Sequence, residues 1–208
     1  MSSKKDHWEN IYKTRDHKQV GWYQDTPQIS LSLLSQIKAS PSQSIIDVGC
    51  GASVLVDHLI EQGYQNIILV DLSNEALLAT KTRLAEHGNI PEYLCTDITQ
   101  AQFSKPFDIW HDRAVFHFLT HDKDRTNYML TLAKSLAPSG RAIIGTFSFN
   151  GPTTCSGLPI VQYDEEKMSA ELAKSALELI DSVTSIHTMP NGAEQEYLYF
   201  IIRHKNTA

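Results

Sequence analysis

The chain has few cysteines, no long apolar run and no excess of basic residues. Its three cysteines, Cys50, Cys95 and Cys155, are odd in number and widely spaced, which fits reduced thiols better than a disulfide framework. No apolar run approaches the roughly 18 residues of a membrane-spanning helix. The first residues also lack the apolar segment of a secretory signal. These absences predict a cytoplasmic protein with no membrane segment.

Basic residues are also fewer than acidic ones, with 18 Lys and Arg against 24 Asp and Glu. The formal net charge of −6 argues against nucleic acid as the main partner, because phosphate backbones bind basic surfaces. The hydrophobic fraction of 41% is enough for one domain with a substantial core. We therefore expect one globular domain of 208 residues.

Strand-like and helix-like segments alternate along the chain, which is typical of an α/β domain with a mostly parallel sheet. The pattern predicts strands at 44–48, 66–71, 93–95, 107–110, 141–149, 180–188 and 195–203. It predicts four helices, at 53–62, from Ser73 or Asn74 to about Glu86, at 122–137, and from Asp164 to about 178. Gly88 is expected to stop the second of these helices, and Pro138 and Gly140 the third. Asn191-Gly192 indicates a final hairpin. The predicted fold class is α/β, a doubly wound, mostly parallel seven-stranded sheet with a C-terminal antiparallel hairpin.

Residues 45–51, Ile-Ile-Asp-Val-Gly-Cys-Gly, are the most informative segment. An apolar pair runs into Asp47, and Gly49 and Gly51 follow at a spacing of two. A second apolar run ends in Asp71, 20 positions after Gly51. A buried strand, a glycine turn, a helix and a second strand that ends in a carboxylate form a nucleotide-binding βαβ unit.

The side chains around this turn indicate which nucleotide it binds. A dinucleotide fingerprint would place a third glycine at position 54, where Val54 stands. Asp47 would oppose a pyrophosphate but suits a cationic ligand. This favours S-adenosylmethionine, which carries a sulfonium and an ammonium group and no phosphate. Asp71 suits the ribose hydroxyls, and Asp97, with Ile98 beside it at the end of the third strand, suits the adenine.

These residues resemble the class I, seven-β-strand, S-adenosylmethionine-dependent methyltransferases. The resemblance covers about residues 44–203 and rests on the motifs Asp47-Val48-Gly49-Cys50-Gly51, Val70-Asp71-Leu72-Ser73, Thr96-Asp97-Ile98 and Pro138-Ser139-Gly140-Arg141. Ser53 stands where the family often has another glycine. The resemblance implies that the cofactor-binding residues of the glycine turn and the next two strand ends are Asp47, Gly49, Gly51, Asp71, Leu72, Asp97 and Ile98.

The aromatic start of the chain resembles one branch of this family. Trp8 and Tyr12, followed by Gly21-Trp22-Tyr23, are similar to its Trp-x-x-x-Tyr opening and aromatic pair. The branch includes small bacterial methyltransferases and methyltransferase-like proteins that modify lysines of other proteins. In such proteins the opening segment tends to lie over the cofactor, so Trp22 and Tyr23 are expected in a lid. Packing of a helix onto the domain is the alternative for Trp8 and Tyr12.

The resemblance implies a single methyltransferase domain over residues 1–208. An N-terminal helix and lid would occupy residues 1–40. The catalytic core would occupy residues 41–208.

The stretch after the fourth strand places polar side chains within an apolar run, so they need partners or a ligand. Asp112 and Arg113 are predicted to line the methionine end of the cofactor, although Arg113 could instead pair with Asp112 or bind a substrate carboxylate. His111 and His117 are candidate general bases, with a structural role as the alternative for each. His117 and His121 lie four apart, but the stretch has no strong metal-binding signature, and we predict no metal site.

The predicted function is transfer of a methyl group from S-adenosylmethionine to a small-molecule acceptor, with S-adenosylhomocysteine as product. Methyl transfer to a protein lysine is the alternative. An NAD-dependent oxidoreductase and a silent methyltransferase-like binding module are further alternatives. The expected partners are a small molecule or a protein, with no nucleic acid and no membrane. The sequence leaves the attacked atom and the oligomeric state open.

Overall fold

The structure, a computed structural model, describes residues 4–86 and 91–205. Its helices are α1 (Lys4–Thr14), α2 (Gln28–Gln36), α3 (Leu55–Glu61), α4 (Asn74–Arg83), α5 (Asp122–Ser135) and α6 (Glu165–Leu172). Its strands are β1 (Ile45–Val48), β2 (Ile67–Asp71), β3 (Glu92–Cys95), β4 (Phe107–Arg113), β5 (Leu136–Phe147), β6 (Thr154–Cys155), β7 (Leu158–Pro159), β8 (Leu177–Thr188) and β9 (Glu194–His204). A short 3₁₀ turn, Phe116–Phe118, follows β4.

Seven of these strands form one sheet in the order β3-β2-β1-β4-β5-β9-β8. The five strands β1 to β5 are parallel to one another, whereas β9 and β8 are antiparallel to their neighbours. Parallel strands need crossover connections, and α3, α4 and α5 lie in three of the four, whereas residues 96–106 connect β3 to β4 without a helix. The predicted fold class, a doubly wound seven-stranded sheet with a C-terminal antiparallel hairpin, is confirmed.

Helices cover both faces of the sheet, as the sequence of β1 requires. Ile45 and Ile46 are both fully buried and belong to opposite hydrophobic clusters. The cluster that contains Ile46 packs against α5 and α6, and the cluster that contains Ile45 packs against α2, α3 and α4. A near-continuous apolar strand is therefore stable only in the middle of such a sandwich.

The main departure from the predicted elements occurs where α5 meets β5. The helix ends at Ser135 rather than 137, and β5 begins at Leu136 rather than 141. Pro138 and Gly140 lie inside this strand, within a register shift in its pairing with β4. A Cβ at Gly140 would lie 2.9 Å from the backbone oxygen of Asp108. The two breaker residues thus shape an irregular strand start, not a helix end.

Several other helices and strands also begin or end at residues that differ from the predicted ones. The helix predicted to reach about residue 178 ends at Leu172, and β8 begins at Leu177. Residues 1–40, predicted to hold one short helix, contain both α1 and α2. The helix predicted to reach about Glu86 ends at Arg83, and its predicted stop at Gly88 lies outside the described residues. Among the helices that the structure describes, none is both long enough and apolar enough to span a bilayer.

Candidate active site

A cavity of about 450 Å³ lies at the carboxyl ends of the parallel strands. This edge is where open α/β sheets bind their ligands. Eight of the ten predicted cofactor-binding residues line the cavity, namely Trp22, Asp47, Gly49, Asp71, Leu72, Asp97, Ile98 and Arg113. The other two, Gly51 and Asp112, are not among the lining residues.

Asp71 ends β2 with its carboxylate tied to the backbone on both sides. One oxygen accepts a hydrogen bond from the amide of Gly51 at 2.8 Å, and the other accepts from the amide of Ser73 at 2.8 Å. Burial raises the pKa of Asp71 to about 6, against these amide bonds, which favour the charged form. The carboxylate is therefore held in one orientation at the cavity wall, with lone pairs left for a ligand.

The two glycines are required by the packing of the chain itself. Gly49 has a φ of +62° and Gly51 a φ of +54°, which favour glycine. A Cβ on Gly49 would lie 1.9 Å from Cγ2 of Val115, and one on Gly51 would lie 2.2 Å from the hydroxyl of Tyr12. Gly51 thus contributes through the turn and the Asp71 contact. Tyr12 and Val115, which pack against the turn, line the cavity.

Asp97 follows β3 and anchors the next loop. Its Oδ1 accepts hydrogen bonds from the amide of Thr99 at 2.9 Å and from the hydroxyl of the same residue at 2.8 Å. Ile98 beside it is buried, at 5% exposure, and faces the cavity. The carboxylates of Asp71 and Asp97 therefore stand at the ends of neighbouring strands, as the sequence predicted.

His111 is enclosed by two buried partners. Its Nδ1 lies 2.7 Å from Oδ1 of Asp47, across the β1–β4 pairing, and its Nε2 lies 2.9 Å from the hydroxyl of Ser30 on α2. All three side chains are buried. Both ring nitrogens are occupied, so His111 has no free nitrogen for the proton of an acceptor. The role of general base stays a prediction for this residue.

His117 is not among the residues that line the cavity, a position that does not favour its predicted role as a general base. The ring is fully buried, and its Nδ1 accepts a hydrogen bond from the amide of Phe147 at 3.3 Å. Burial and the charge of Arg113 lower the pKa of His117 to about 3. Within residues 4–86 and 91–205, no group of three or more His, Cys, Asp or Glu side chains is placed to hold a metal ion.

The side chain of Asp112 points away from the cavity, and the predicted contact with the methionine end of the cofactor, through its charge or its backbone, stays a prediction. Its carboxylate accepts hydrogen bonds from the amides of Val115 at 2.9 Å and Phe116 at 3.1 Å. The hydroxyl of Tyr128 on α5 donates a third at 2.6 Å. Burial raises the pKa of Asp112 to about 6. Successive residues of a strand point to opposite faces, which separates Asp112 from His111 and Arg113.

Arg113 faces the cavity and does not pair with Asp112. Its Nε donates to the hydroxyl of Tyr199 at 3.1 Å, and its Nη1 donates to the backbone oxygen of Trp22 at 3.0 Å. The guanidinium also lies 4.9 Å from the centre of the Tyr197 ring. Both tyrosines belong to β9, two strands beyond β4 in the sheet.

The N-terminal segment covers the cavity from the outside. The carboxylate of Glu9 on α1 accepts hydrogen bonds at the start of α4, from the hydroxyl of Ser73 at 2.8 Å and the amides of Asn74 and Glu75, each at 3.0 Å. A carboxylate is favourable at a helix N-terminus. This contact fixes α1 beside the cavity.

The aromatic side chains of the segment form one cluster. The Trp22 ring packs edge-on against Trp8 at 5.7 Å and against Tyr12 at 6.3 Å. All three line the cavity. Packing of α1 and contact with the cavity, which the sequence offered as alternatives for Trp8 and Tyr12, therefore occur together.

Sequence reasoning missed the residues that support the site from a distance. Glu9 meets α4 across more than 60 positions, Ser30 meets His111 across 81, and Tyr199 meets Arg113 across 86. No local pattern marks such contacts. The alternation of faces along β4 is the one available signal, and it separates Asp112 from its two neighbours.

The strand order, the glycine turn and the carboxylates at successive strand ends together define a class. They are the architecture of the class I, Rossmann-like methyltransferases, with a cavity at the switch point between β1 and β4.

Comparison with known proteins agrees with this class. Residues 45–140, from β1 into β5, match the family model described as a methyltransferase domain. An N-methyltransferase, NodS from Bradyrhizobium japonicum WM9, solved in complex with S-adenosylhomocysteine, has a TM-score of 0.71 at 17% identity, covering 97% of this chain and 100% of that chain. Residues 45–140 are therefore a methyltransferase domain, and the chain as a whole has the fold of S-adenosylmethionine-dependent methyltransferases.

Two curated relatives differ in their acceptors. The eEF1A lysine and N-terminal methyltransferase of Bos taurus is 29% identical over 140 residues, which are 66% of this chain and 20% of that protein. The ubiquinone biosynthesis O-methyltransferase of Rickettsia felis is 26% identical over 119 residues, which are 57% of this chain and 47% of that protein. The chain therefore spans less than half the length of either relative.

Proposed function

We propose that this protein transfers the methyl group of S-adenosylmethionine to a small-molecule acceptor inside the covered cavity. The observation that carries the proposal is the cover itself. The aromatic cluster of Trp8, Tyr12 and Trp22 lies along the cavity wall, and Glu9 fixes α1 beside it. Such a cover favours an acceptor that is enclosed with the cofactor. We infer that residues 1–40 serve as the lid of a single domain whose core is 41–208.

The cofactor orientation that we propose follows the strand ends. Adenine lies beside Ile98 near Asp97, the ribose hydroxyls donate to Asp71 next to Leu72, and the methionine portion runs along the Gly49 turn. The carboxylate of Asp47, buried against His111, supplies negative charge near the cationic end. The positions of these side chains along one cavity wall support this orientation.

The transfer itself needs little covalent chemistry from the protein. The acceptor nucleophile forms a bond to the methyl carbon as the bond from that carbon to the sulfonium breaks, and neutral S-adenosylhomocysteine leaves. The protein aligns the two groups and excludes water. Because His111 has both nitrogens occupied and His117 lies outside the cavity, we assign neither as a base in this arrangement.

Transfer of tritium from labelled S-adenosylmethionine tests the proposal. The protein is incubated with a deproteinised metabolite extract and, separately, with dialysed cell lysate. We expect label in the low-molecular-weight fraction, and less label with Asp71→Asn at limiting donor. Label confined to macromolecules would overturn the small-molecule assignment. Arg141→Met, at a half-buried position of β5 away from the cavity, is the matched control that should keep wild-type transfer.

Methyl transfer to a protein lysine is the second candidate. It is favoured by the bovine relative, which acts on eEF1A, and by the Trp8 and Tyr12 opening. Under this alternative the label would appear in lysate protein, and acid hydrolysis would release methylated lysine. A cytoplasmic location stays a prediction, based on the three free cysteines.

A further inference from the structure

The guanidinium of Arg113 lines the cavity and has no carboxylate partner within 4.0 Å among the described residues. Its Nη2 is shielded from water and has no hydrogen-bond partner in the described part of the chain. A buried donor without a partner is costly, and more so when it carries charge. The site is therefore incomplete without an acceptor group from a ligand.

The rest of the side chain is held in place for such a ligand. Of its five N–H donors, one on Nε bonds to Tyr199 and one on Nη1 bonds to the backbone of Trp22. Tyr199 can lie across the intervening strand because position 145 is glycine; a Cβ there would lie 2.5 Å from Cε1 of that ring. The end of the guanidinium that carries Nη2 keeps its remaining donors, which can meet a carboxylate side by side.

A second unpaired donor lies beside this group. The hydroxyl of Tyr197 is buried without a partner, and its ring lies under the Arg113 guanidinium at 4.9 Å. Tyr197 is not among the residues that line the cavity, so only the Nη2 of Arg113 is placed to meet a ligand from the cavity side.

The location of Arg113 favours the acceptor over the cofactor. Asp71 and Asp97 stand at the ends of β2 and β3, on one side of β4 in the sheet. The contacts of Arg113 run to the opposite side, through Gly145 on β5 to Tyr199 on β9. The proposed cofactor lies along the first group of strand ends, so the guanidinium stands at the far end of the cavity.

We propose that Arg113 determines acceptor specificity by binding a carboxylate of the small molecule to be methylated, which replaces its assignment to the cofactor. The acceptor class is thus a carboxylic acid that carries a separate nucleophile. The backbone oxygen of Trp22 accepts a hydrogen bond from Nη1 of Arg113. The segment that contains Trp22 therefore moves when the carboxylate of the acceptor reaches Nη2 from the cavity side. This inference rests on the proposed small-molecule function.

Ligand binding to the protein saturated with S-adenosylhomocysteine tests this independently of turnover. Thermal shift and titration are run with aromatic and aliphatic monocarboxylates, such as benzoate and phenylacetate, and with their primary amides, at constant ionic strength. We expect at least one acid to bind about 10- to 100-fold more tightly than its amide, the range of a charged hydrogen bond. Failure of every acid to exceed its amide would overturn the proposal.

Variants separate this role from cofactor binding. Arg113→Met should remove the preference for acids, Arg113→Lys should retain part of it, and Arg141→Met should leave it unchanged. The affinity for S-adenosylhomocysteine should stay within about twofold in all three. Weaker S-adenosylhomocysteine binding by Arg113→Met with an unchanged acid preference would assign the residue to the methionine carboxylate and refute the proposal. Absence of tritium in small molecules, by contrast, would refute the proposed function and leave this binding result standing.

Discussion

The two faces of β4 carry neighbouring polar residues with opposite roles. His111 and Arg113 face the cavity, whereas Asp112 between them faces the core around α5. On the core side the Asp112 carboxylate is fully hydrogen-bonded, because it accepts from three donors. On the cavity side Arg113 keeps an unpaired Nη2. The side chain of Asp112 is thus satisfied within the described part of the chain, whereas the guanidinium of Arg113 is not.

The largest expected effect comes from the core side. Asp112→Ala leaves the Tyr128 hydroxyl and two amides without their acceptor, so the free energy of unfolding should fall by about 3 kcal/mol. Chemical denaturation measures this change. Titration should show unchanged affinity for S-adenosylhomocysteine in the folded fraction. Normal stability with weakened cofactor binding would mean that Asp112 belongs to the cavity side.

A smaller effect is expected on the cavity side, in binding instead of stability. Asp71→Asn removes the charge that accepts the ribose hydroxyls in the proposed cofactor orientation, so affinity for S-adenosylhomocysteine should fall about 10- to 100-fold. Calorimetric titration measures it, with the exposed Asp181→Asn as the control acid that should bind as the wild type does. Equal affinity of Asp71→Asn and the wild type would refute the ribose assignment.

The overall sheet could be predicted because its signals are local. Residues 45–48 and 67–71 are short apolar runs that end in or near a carboxylate, and each is a buried parallel strand in the structure. The start of β5 could not be predicted in the same way. Pro138 and Gly140 usually end an element, but here they lie in a register shift that depends on pairing with β4.

In the candidate site, too, features set by local sequence could be predicted and features set by distant contacts could not. Asp71 and Asp97 were predictable because the end of a strand can be located from sequence. The hydrogen-bond partners of the His111 nitrogens could not be predicted, because Ser30, which contacts Nε2, lies on a helix 81 positions away in the sequence. The direction of the Asp112 side chain could have been predicted, because the alternation of a strand places it opposite Arg113.

The smallest expected effect is on the pH dependence of the free energy of unfolding, to which Asp71 and Asp112 both contribute. Burial raises the pKa of both Asp71 and Asp112 to about 6, above the ordinary value of about 3.9. The folded state therefore holds protons that the unfolded state releases, and the free energy of unfolding should fall as pH rises from about 4 to about 6. Bound S-adenosylhomocysteine should remove only the Asp71 share, which makes the slope shallower by at most about 1.4 kcal/mol per pH unit. An unchanged slope with ligand would place the ribose elsewhere.

A crystal structure of the protein with bound S-adenosylhomocysteine is the most direct measurement. We expect the adenine beside Ile98, the ribose hydroxyls within hydrogen-bond distance of Asp71, and the sulfur on the side of β4 that carries His111 and Arg113. S-adenosylhomocysteine bound at another surface, with the strand-edge cavity empty and Asp71 out of contact, would contradict the assignment of this cavity as the methyl-transfer site.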